Sequence, residues 1–302
     1  MLVQLVNLER RPDRLAFMRR QLDDLGIAFQ RLEAIDGTEA GVEPATPGFS
    51  GAERACAFSH RLAWERFLAS GAPHCLVLED DVILSPLLPA FLAGFAGIPH
   101  DGDILRLETQ LVRTRLGPPL ASPLAGYEAH RVHSVHTGCG AYILTRAFAA
   151  RAVRDLIRFD APLDYVLFDP DWPGFYPSRF FQLRPALCIQ ANLHEPTRDA
   201  AIGVSNLQPA REVRFAIASR LNPKPKRTFA EKCVREVGRW VRRIRAFAGR
   251  AWDFPTRPSF WYDVPFAGAV LPSALTMLSG SRVEPDGAGQ GPGARGRDAQ
   301  RP

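Results

Sequence analysis

Cys75-Leu76-Val77-Leu78-Glu79-Asp80-Asp81 is a short apolar run that breaks off into three adjacent carboxylates. The apolar part has the length of a strand buried on both faces, and such strands occur in α/β sheets covered by helices. Just upstream, Phe58, Leu62, Ala63, Trp64, Phe67 and Leu68 form the wide apolar face of a helix that should stop at Ser70-Gly71. Further back, Leu2 to Val6 reads as a first strand, and Pro12 suits the opening turn of a helix, where its missing N–H costs nothing. Leu15, Met18, Leu22 and Leu25 follow at spacings of 3, 4 and 3, and Gly26 stands where a helix would close. Ile27 to Leu32 reads as a second strand, and Asp36 to Gly51 as a polar loop rich in Pro and Gly. Downstream, Asp103–Leu107 and Ala141–Leu144 read as strands, and about Arg146 to Ile157 as a helix. This alternation predicts an α/β fold with a mixed, mostly parallel sheet flanked by helices.

The carboxylates pose a physical problem. Three neighbouring negative charges at the edge of an apolar strand repel one another and resist desolvation unless something positive stands nearby. A hard divalent cation, Mn²⁺ or Mg²⁺, would answer, since it takes oxygen ligands and completes its shell with phosphate and water. Beside a nucleoside diphosphate it would neutralise charge on a departing phosphate. Carboxyl ends of strands are also where open α/β sheets bind ligands. The other reading is a solvated acidic turn, and the local sequence leaves both open.

Composition narrows the class. The 302 residues, 46% hydrophobic and 23% charged, suit one large α/β domain with an additional segment. The net charge of +6 is unevenly placed: Arg220 to Arg250 holds eleven basic residues against Glu231 and Glu236, or +9, which leaves the remainder near −3. The five cysteines show no CxxC spacing, so a disulfide framework or structural zinc is not expected and a reducing compartment is. The amino terminus shows no basic leader with a long apolar core, and the apolar stretch from Pro265 to Gly280 is interrupted by Pro272. The expectation is a cytoplasmic protein.

Several blocks in order then resemble glycosyltransferase family 25, the lipooligosaccharide galactosyltransferase family. They are Val6-Asn7-Leu8-Glu9-Arg10-Arg11-Pro12-Asp13-Arg14, Ala34-Ile35-Asp36-Gly37, Cys56-Ala57-Phe58-Ser59-His60-Arg61 with Trp64, and Leu76 to Val82. Gly138-Cys139-Gly140-Ala141-Tyr142-Ile143-Leu144 with Thr145-Arg146, and Pro162-Leu163-Asp164, complete the set across roughly residues 2 to 205. The resemblance implies a GT-A fold, a UDP-sugar donor (most often UDP-galactose), a glycan or glycolipid acceptor and transfer with inversion. One departure is Gly51-Ala52-Glu53-Arg54-Ala55, where the family often has Gly-Glu-Ile/Leu-Gly, a change expected to reshape a donor loop.

Roles follow by position. Asp80 and Asp81 are expected to hold the metal and diphosphate, with Glu79 supporting them or the ribose. Inverting transfer needs a base for the acceptor hydroxyl; Asp164 is the candidate, Glu108 the second choice as base or hydroxyl ligand, with Asp169 and Asp171 further along. Asn7 and Arg14 are candidates for uridine or its phosphates, and Asp36 with Gly37 for a nucleoside contact or only a turn. His60 is a donor-site group or a core histidine. Gly138 and Gly140 suggest close backbone approach to the sugar, or a bulge. His194 could complete a metal shell.

Residues 1–210 form the expected transferase domain, 211–278 a basic helical appendage and 279–302 a disordered tail. Within the appendage Phe229, Cys233, Val237, Trp240, Ile244 and Phe247 fall on one helical stripe among Arg and Lys. Residues 222–252 could lie on an anionic membrane surface or pack on the domain; no nucleic-acid module accompanies them. An alternative use of the same fold is another UDP-hexose as donor, or a scaffold without turnover.

Overall fold

Strand β1 (Leu2–Asn7) is followed by α1 (Pro12–Asp24). The buried side chains of α1, Arg14, Phe17, Met18, Gln21 and Leu22, recur at helical spacing, so one face meets the sheet. Gly26, at φ 63°, closes the helix, and the Ile27 N–H bonds back to the Leu22 carbonyl at 2.8 Å. That closure consumes residues expected in the next strand, and β2 spans Gln30–Glu33 instead of starting at Ile27. Helix α2 (Gly51–Ser70) begins at a capping box: Ser50 Oγ accepts the Glu53 N–H while the Glu53 carboxylate accepts the Ser50 N–H. It ends at Gly71 in the left-handed region, as the sequence predicts. The five residues expected to reshape a donor loop are thus the first turns of α2.

Strand β3 (His74–Glu79) and β4 (Val82–Leu84) flank the Asp80-Asp81 corner. Helix α3 (Leu88–Ala93), β5 (Ile104–Arg106), β6 (Glu108–Thr109), β7 (Thr114–Ala121), β8 (Glu128–Val132) and β9 (Ala141–Thr145) follow. Then come α4 (Arg146–Asp155), α5 (Leu163–Phe168), β10 (Phe180–Arg184), β11 (Cys188–Gln190) and β12 (Phe260–Tyr262). The computed structural model describes residues 1–38, 49–121, 126–135, 137–170, 172, 174–194, 202 and 259–268.

Nine described strands form one sheet in the order β12-β7-β8-β10-β5-β9-β3-β1-β2. Parallel pairing joins β1 to β2 and β3, and β5 to β10; the other neighbours run antiparallel. A small sheet, β4-β11-β6, lies beside it. Short corners at Asp80-Asp81, at Leu107 and at Pro185-Ala186-Leu187 carry the chain from the main sheet into the small one. Side chains of β3 alternate: Leu76 and Leu78 join one apolar core with Met18 and Leu22 of α1, Cys75 and Val77 the other with Trp64 and Phe67 of α2. A continuous apolar run therefore marks a strand with cores on both faces.

The carboxyl-terminal region needs a correction. Residues 259–268, placed in the helical appendage by sequence, belong to the main body. Strand β12 pairs with β7, Val264 is buried, and Thr109 Oγ1 donates to the Val264 carbonyl at 2.5 Å. The basic stripe at 229–247 and the tail at 279–302 lie outside the described residues, as does Asp171. Among the described residues no helix is long and apolar enough to cross a membrane.

Candidate active site

Because β1 and β3 are parallel, with Val6 beside Glu79, their carboxyl ends reach one edge of the sheet together. Antiparallel β9 starts at that edge, and the Gly140 carbonyl accepts the Glu79 N–H at 2.8 Å. A cleft of about 1120 Å³, open mouth included, lies over these ends. It is bordered by Arg14, Glu79, Asp80 and Asp81 on the β1–β3 side, by Cys56, Ser59 and His60 of α2, and by Gly138, Cys139 and Asp164. The mixed polar and apolar lining suits a ligand that carries charged and apolar groups together.

The acidic corner carries its own positive charge. Arg14, only 3% exposed, donates from Nη1 to Asp80 Oδ1 at 2.8 Å and stands 3.2 Å from Asp81 Oδ2. Burial alone would lower the Arg14 pKa, but Asp81 and then Asp80 outweigh it and raise it. Arg14 shares the inward face of α1 with Met18 and Leu22, so helical periodicity places it under the carboxylates. Asn7 supports the same corner from behind: its Nδ2 donates to Asp80 Oδ2 at 2.8 Å and to the Arg11 carbonyl at 3.1 Å, and its Oδ1 accepts from Arg31. It is 1% exposed and is not among the residues lining the cleft.

The two aspartates therefore differ. Both oxygens of Asp80 accept protein N–H groups, whereas Asp81 Oδ1 is buried without a hydrogen-bond partner. Burial pushes the Asp81 carboxyl up to about 7, with Arg14 opposing and Glu79 and Asp80 adding to the rise. A lone buried carboxylate oxygen beside a cleft is what a hard cation would take, and Asp81 fits that group better than Asp80. Asn192, which the sequence did not mark, also borders the cleft with a buried, unpartnered Oδ1. It follows β11 across from the corner, where the Ala191 N–H bonds to the Asp81 carbonyl at 2.8 Å. His194, the residue expected to complete a metal shell, packs its ring edge-on against Phe266 and is not in the lining.

Asp164 lies in the first turn of α5, 7% exposed, and borders the cleft. Its Oδ2 accepts the Gly138 N–H and its Oδ1 the Tyr165 N–H, both at 3.0 Å, so two backbone amides hold the carboxylate still. Glu108 stands behind this wall. It is fully buried, accepts from Arg106 Nη2 at 3.0 Å and from the Gly140 N–H at 2.9 Å, and is absent from the lining. Burial pushes Glu108 up to about 8 against the pull of Arg106. A Cβ on Gly138 would meet Gln110 Nε2 at 2.4 Å and Glu108 Oε1 at 2.9 Å, and one on Gly140 would meet Glu108 Oε2 at 2.8 Å. These glycines thus admit Glu108 from the interior.

Asp36 caps a tight turn, accepting the Thr38 N–H at 3.0 Å and pairing with Arg10; Gly37 and Arg10, not Asp36, border the cleft. Burial alone would raise the Asp36 carboxyl, yet Arg10 and Thr38 lower it on balance. A Cβ on Gly37 would lie 2.4 Å from the Ala52 Cα, so this glycine lets the turn meet the start of α2. His60 is both core and cleft, fully buried yet 3.1 Å from Glu79 Oε1 through Nε2. Cys56, His60 and Glu79 bring one ligand atom each within 4.8 Å of one another. Asp169 ends α5 away from the lining residues.

Comparison with known proteins gives a consistent result. The family model described as Glycosyltransferase family 25 (LPS biosynthesis protein) matches residues 2–167, more than half of the chain. The lacto-N-neotetraose biosynthesis glycosyltransferase LgtB of Neisseria gonorrhoeae is 30% identical over 225 residues, covering 66% of this chain and 78% of that protein. LgtB of Neisseria meningitidis serogroup A is 32% identical over 205 residues, 59% of this chain and 71% of its own. Lipooligosaccharide biosynthesis protein lic2B of Haemophilus influenzae is 23% identical over 147 residues, 46% and 53% respectively.

Proposed function

The chain belongs to glycosyltransferase family 25, and from that premise we propose that it is an inverting transferase that moves galactose from UDP-galactose onto a lipooligosaccharide or other lipid-linked glycan. The observation that carries the donor reading is the cleft at the ends of β1 and β3, with a buried, unpartnered Asp81 oxygen at its acidic corner. The relatives named for lacto-N-neotetraose and lipooligosaccharide biosynthesis support the acceptor class.

In this reading Asp81, with Asn192 as a second oxygen donor, would hold Mn²⁺ or Mg²⁺. When bound, such a cation neutralises charge that builds on a departing diphosphate. Arg14 lends the corner a fixed positive charge, and Asn7 keeps Asp80 turned toward Arg14. Asp164, held by two backbone amides, takes the proton from the acceptor hydroxyl as that oxygen attacks the anomeric carbon. Glu108 supports the glycine ribbon from behind and does not meet the acceptor. The basic segment at 222–252 supplies contact with an anionic membrane surface, on the cytoplasmic face where a lipid-linked acceptor would be presented.

The deciding experiment is UDP binding by calorimetry with Mn²⁺ and with chelator, for the wild type and Asp81→Asn. Metal-dependent affinity that collapses in the variant is the expected result. Equal affinity in all four conditions would remove Asp81 from the donor site. A UDP-release assay across UDP-galactose, UDP-glucose and UDP-GlcNAc then assigns the sugar, and a preference for either of the latter two would overturn galactose.

A further inference from the structure

Trp64, Tyr142, His60 and Glu79 form a line of hydrogen bonds running from the core to the cleft. Trp64 Nε1 donates to the Tyr142 hydroxyl at 3.0 Å, that hydroxyl lies 2.8 Å from His60 Nδ1, and His60 Nε2 lies 3.1 Å from Glu79 Oε1. Trp64, Tyr142 and His60 are each 0% exposed, and the Tyr142 and His60 rings stack with centroids 5.7 Å apart. Glu79 reaches the cleft with 22% of its side chain exposed.

The direction of the line follows from its first member. An indole N–H only donates, so it takes a lone pair of the Tyr142 oxygen and leaves the phenol proton to find an acceptor. His60 Nδ1 is the acceptor at hand, so the proton of the neutral imidazole sits on Nε2 and points at Glu79. The reverse arrangement, with the proton on Nδ1, would strand the phenol proton in a dry core and turn a lone pair of Nε2 against a carboxylate, and both are costly.

We propose that Trp64 and Tyr142 act as positioning residues that lock His60 as its Nε2–H tautomer, and that His60 in turn holds Glu79 so that its Oε2 accepts a hydroxyl of the sugar nucleotide. The proposal rests on the donor-site reading above for the identity of that hydroxyl, whether ribose or hexose. It also decides the use of the Cys56, His60 and Glu79 cluster. A metal there would need the Nε2 lone pair, which the relay has already given to a proton.

The test has two arms. In the full-length protein labelled with ¹⁵N-histidine, long-range ¹H–¹⁵N spectra report which His60 nitrogen carries the proton, with His60→Gln used for assignment. A protonated Nε2 and bare Nδ1, unmoved by equimolar Zn²⁺, are expected. A protonated Nδ1, or a Zn²⁺-induced shift at Nε2, would overturn the relay. The second arm measures kcat/KM for the donor. Glutamine keeps an amide donor near the Nε2 position but offers Tyr142 no acceptor, whereas asparagine places its donor near Nδ1 and loses the one facing Glu79, so His60→Gln should lose clearly less than His60→Asn. His60→Asn and Tyr142→Phe should fall roughly ten- to a hundredfold, the worth of one hydrogen bond to a charged group. Equal loss in His60→Gln and His60→Asn would reduce His60 to a packing residue and end the proposal. The spectroscopic arm needs neither a folded variant other than His60→Gln nor a sugar nucleotide. If the wild type fails to bind UDP, the donor reading falls while the tautomer result stands on its own.

Discussion

Asp81 and Asp164 are both carboxylates at the cleft, but their surroundings assign them opposite costs. Asp81 Oδ1 is buried with no partner, and burial lifts the group to about 7. Replacing it with an uncharged amide removes repulsion from Glu79 and Asp80 while leaving Arg14 paired with Asp80. Asp81→Asn should therefore stabilise the fold at pH 8 in chelator by about 1–3 kcal/mol, read as a higher thermal midpoint, even as it loses metal-dependent UDP affinity. A midpoint that falls would mean that Asp81 is already compensated in the fold. Asp164 pays no such penalty, since two backbone amides satisfy it. Asp164→Asn should lower kcat by roughly 10²–10⁴ with UDP affinity unchanged within about threefold, the pattern of a lost general base. A loss confined to KM would give Asp164 a binding role.

At the scale of elements, the Gly138-Cys139-Gly140 ribbon depends on the strand behind it. Gly138 sits at φ 91°, and a Cβ there would press on Gln110 and Glu108. Gly138→Ala should destabilise by about 1–3 kcal/mol and cost activity as well, because the Gly138 amide that holds Asp164 must shift; paired unfolding and turnover measurements would show both losses together. The Arg106–Glu108 pair beneath β9 gives the fold a pH dependence. The folded state lifts Glu108 from its ordinary 4.5 to about 8, so between those values it keeps a proton that the unfolded chain has released. Stability contributed by that proton is fully present below about pH 4.5 and is lost as pH rises through about 8. The melting midpoint should drop by roughly 5 °C or more from pH 5.5 to 8.5, and Glu108→Gln, which mimics the protonated acid, should flatten that fall. An unchanged slope in Glu108→Gln would place the dependence elsewhere.

For the whole molecule, β12 ties residues 259–268 to the sheet through β7, so cutting the chain at 222 would remove part of the transferase body along with the basic segment. Membrane contact is better tested by changing Arg239, Arg242, Arg243 and Arg245 to Gln in the full chain. The affinity for anionic vesicles should weaken by up to roughly a thousandfold, at about 1 kcal/mol for each of the four charges, while turnover on a soluble acceptor persists; undiminished sedimentation would count against the surface role. The same strand shows where sequence reading stops. Continuous apolar runs and helical spacing sufficed for β1, α1, α2, β3 and β9, because burial on one or both faces leaves a local periodic mark. The family blocks located the acidic corner, Asp164 and the glycine ribbon for the same reason, being contiguous in the chain. Arg14 was readable as a core-facing position of α1, yet its neutralising role was not, since its partners lie 66 residues away for Asp80. Asn7 behind Asp80, Glu108 behind Gly140, Tyr142 on His60 and Asn192 at the corner likewise carry no local signature. Sequence by itself determined the elements and their order, because backbone hydrogen bonding and apolar patterning act over a few residues. Only the tertiary structure decided which carboxylate is satisfied, which is left open and which is walled off, because charge compensation and desolvation depend on neighbours that the chain brings together from afar.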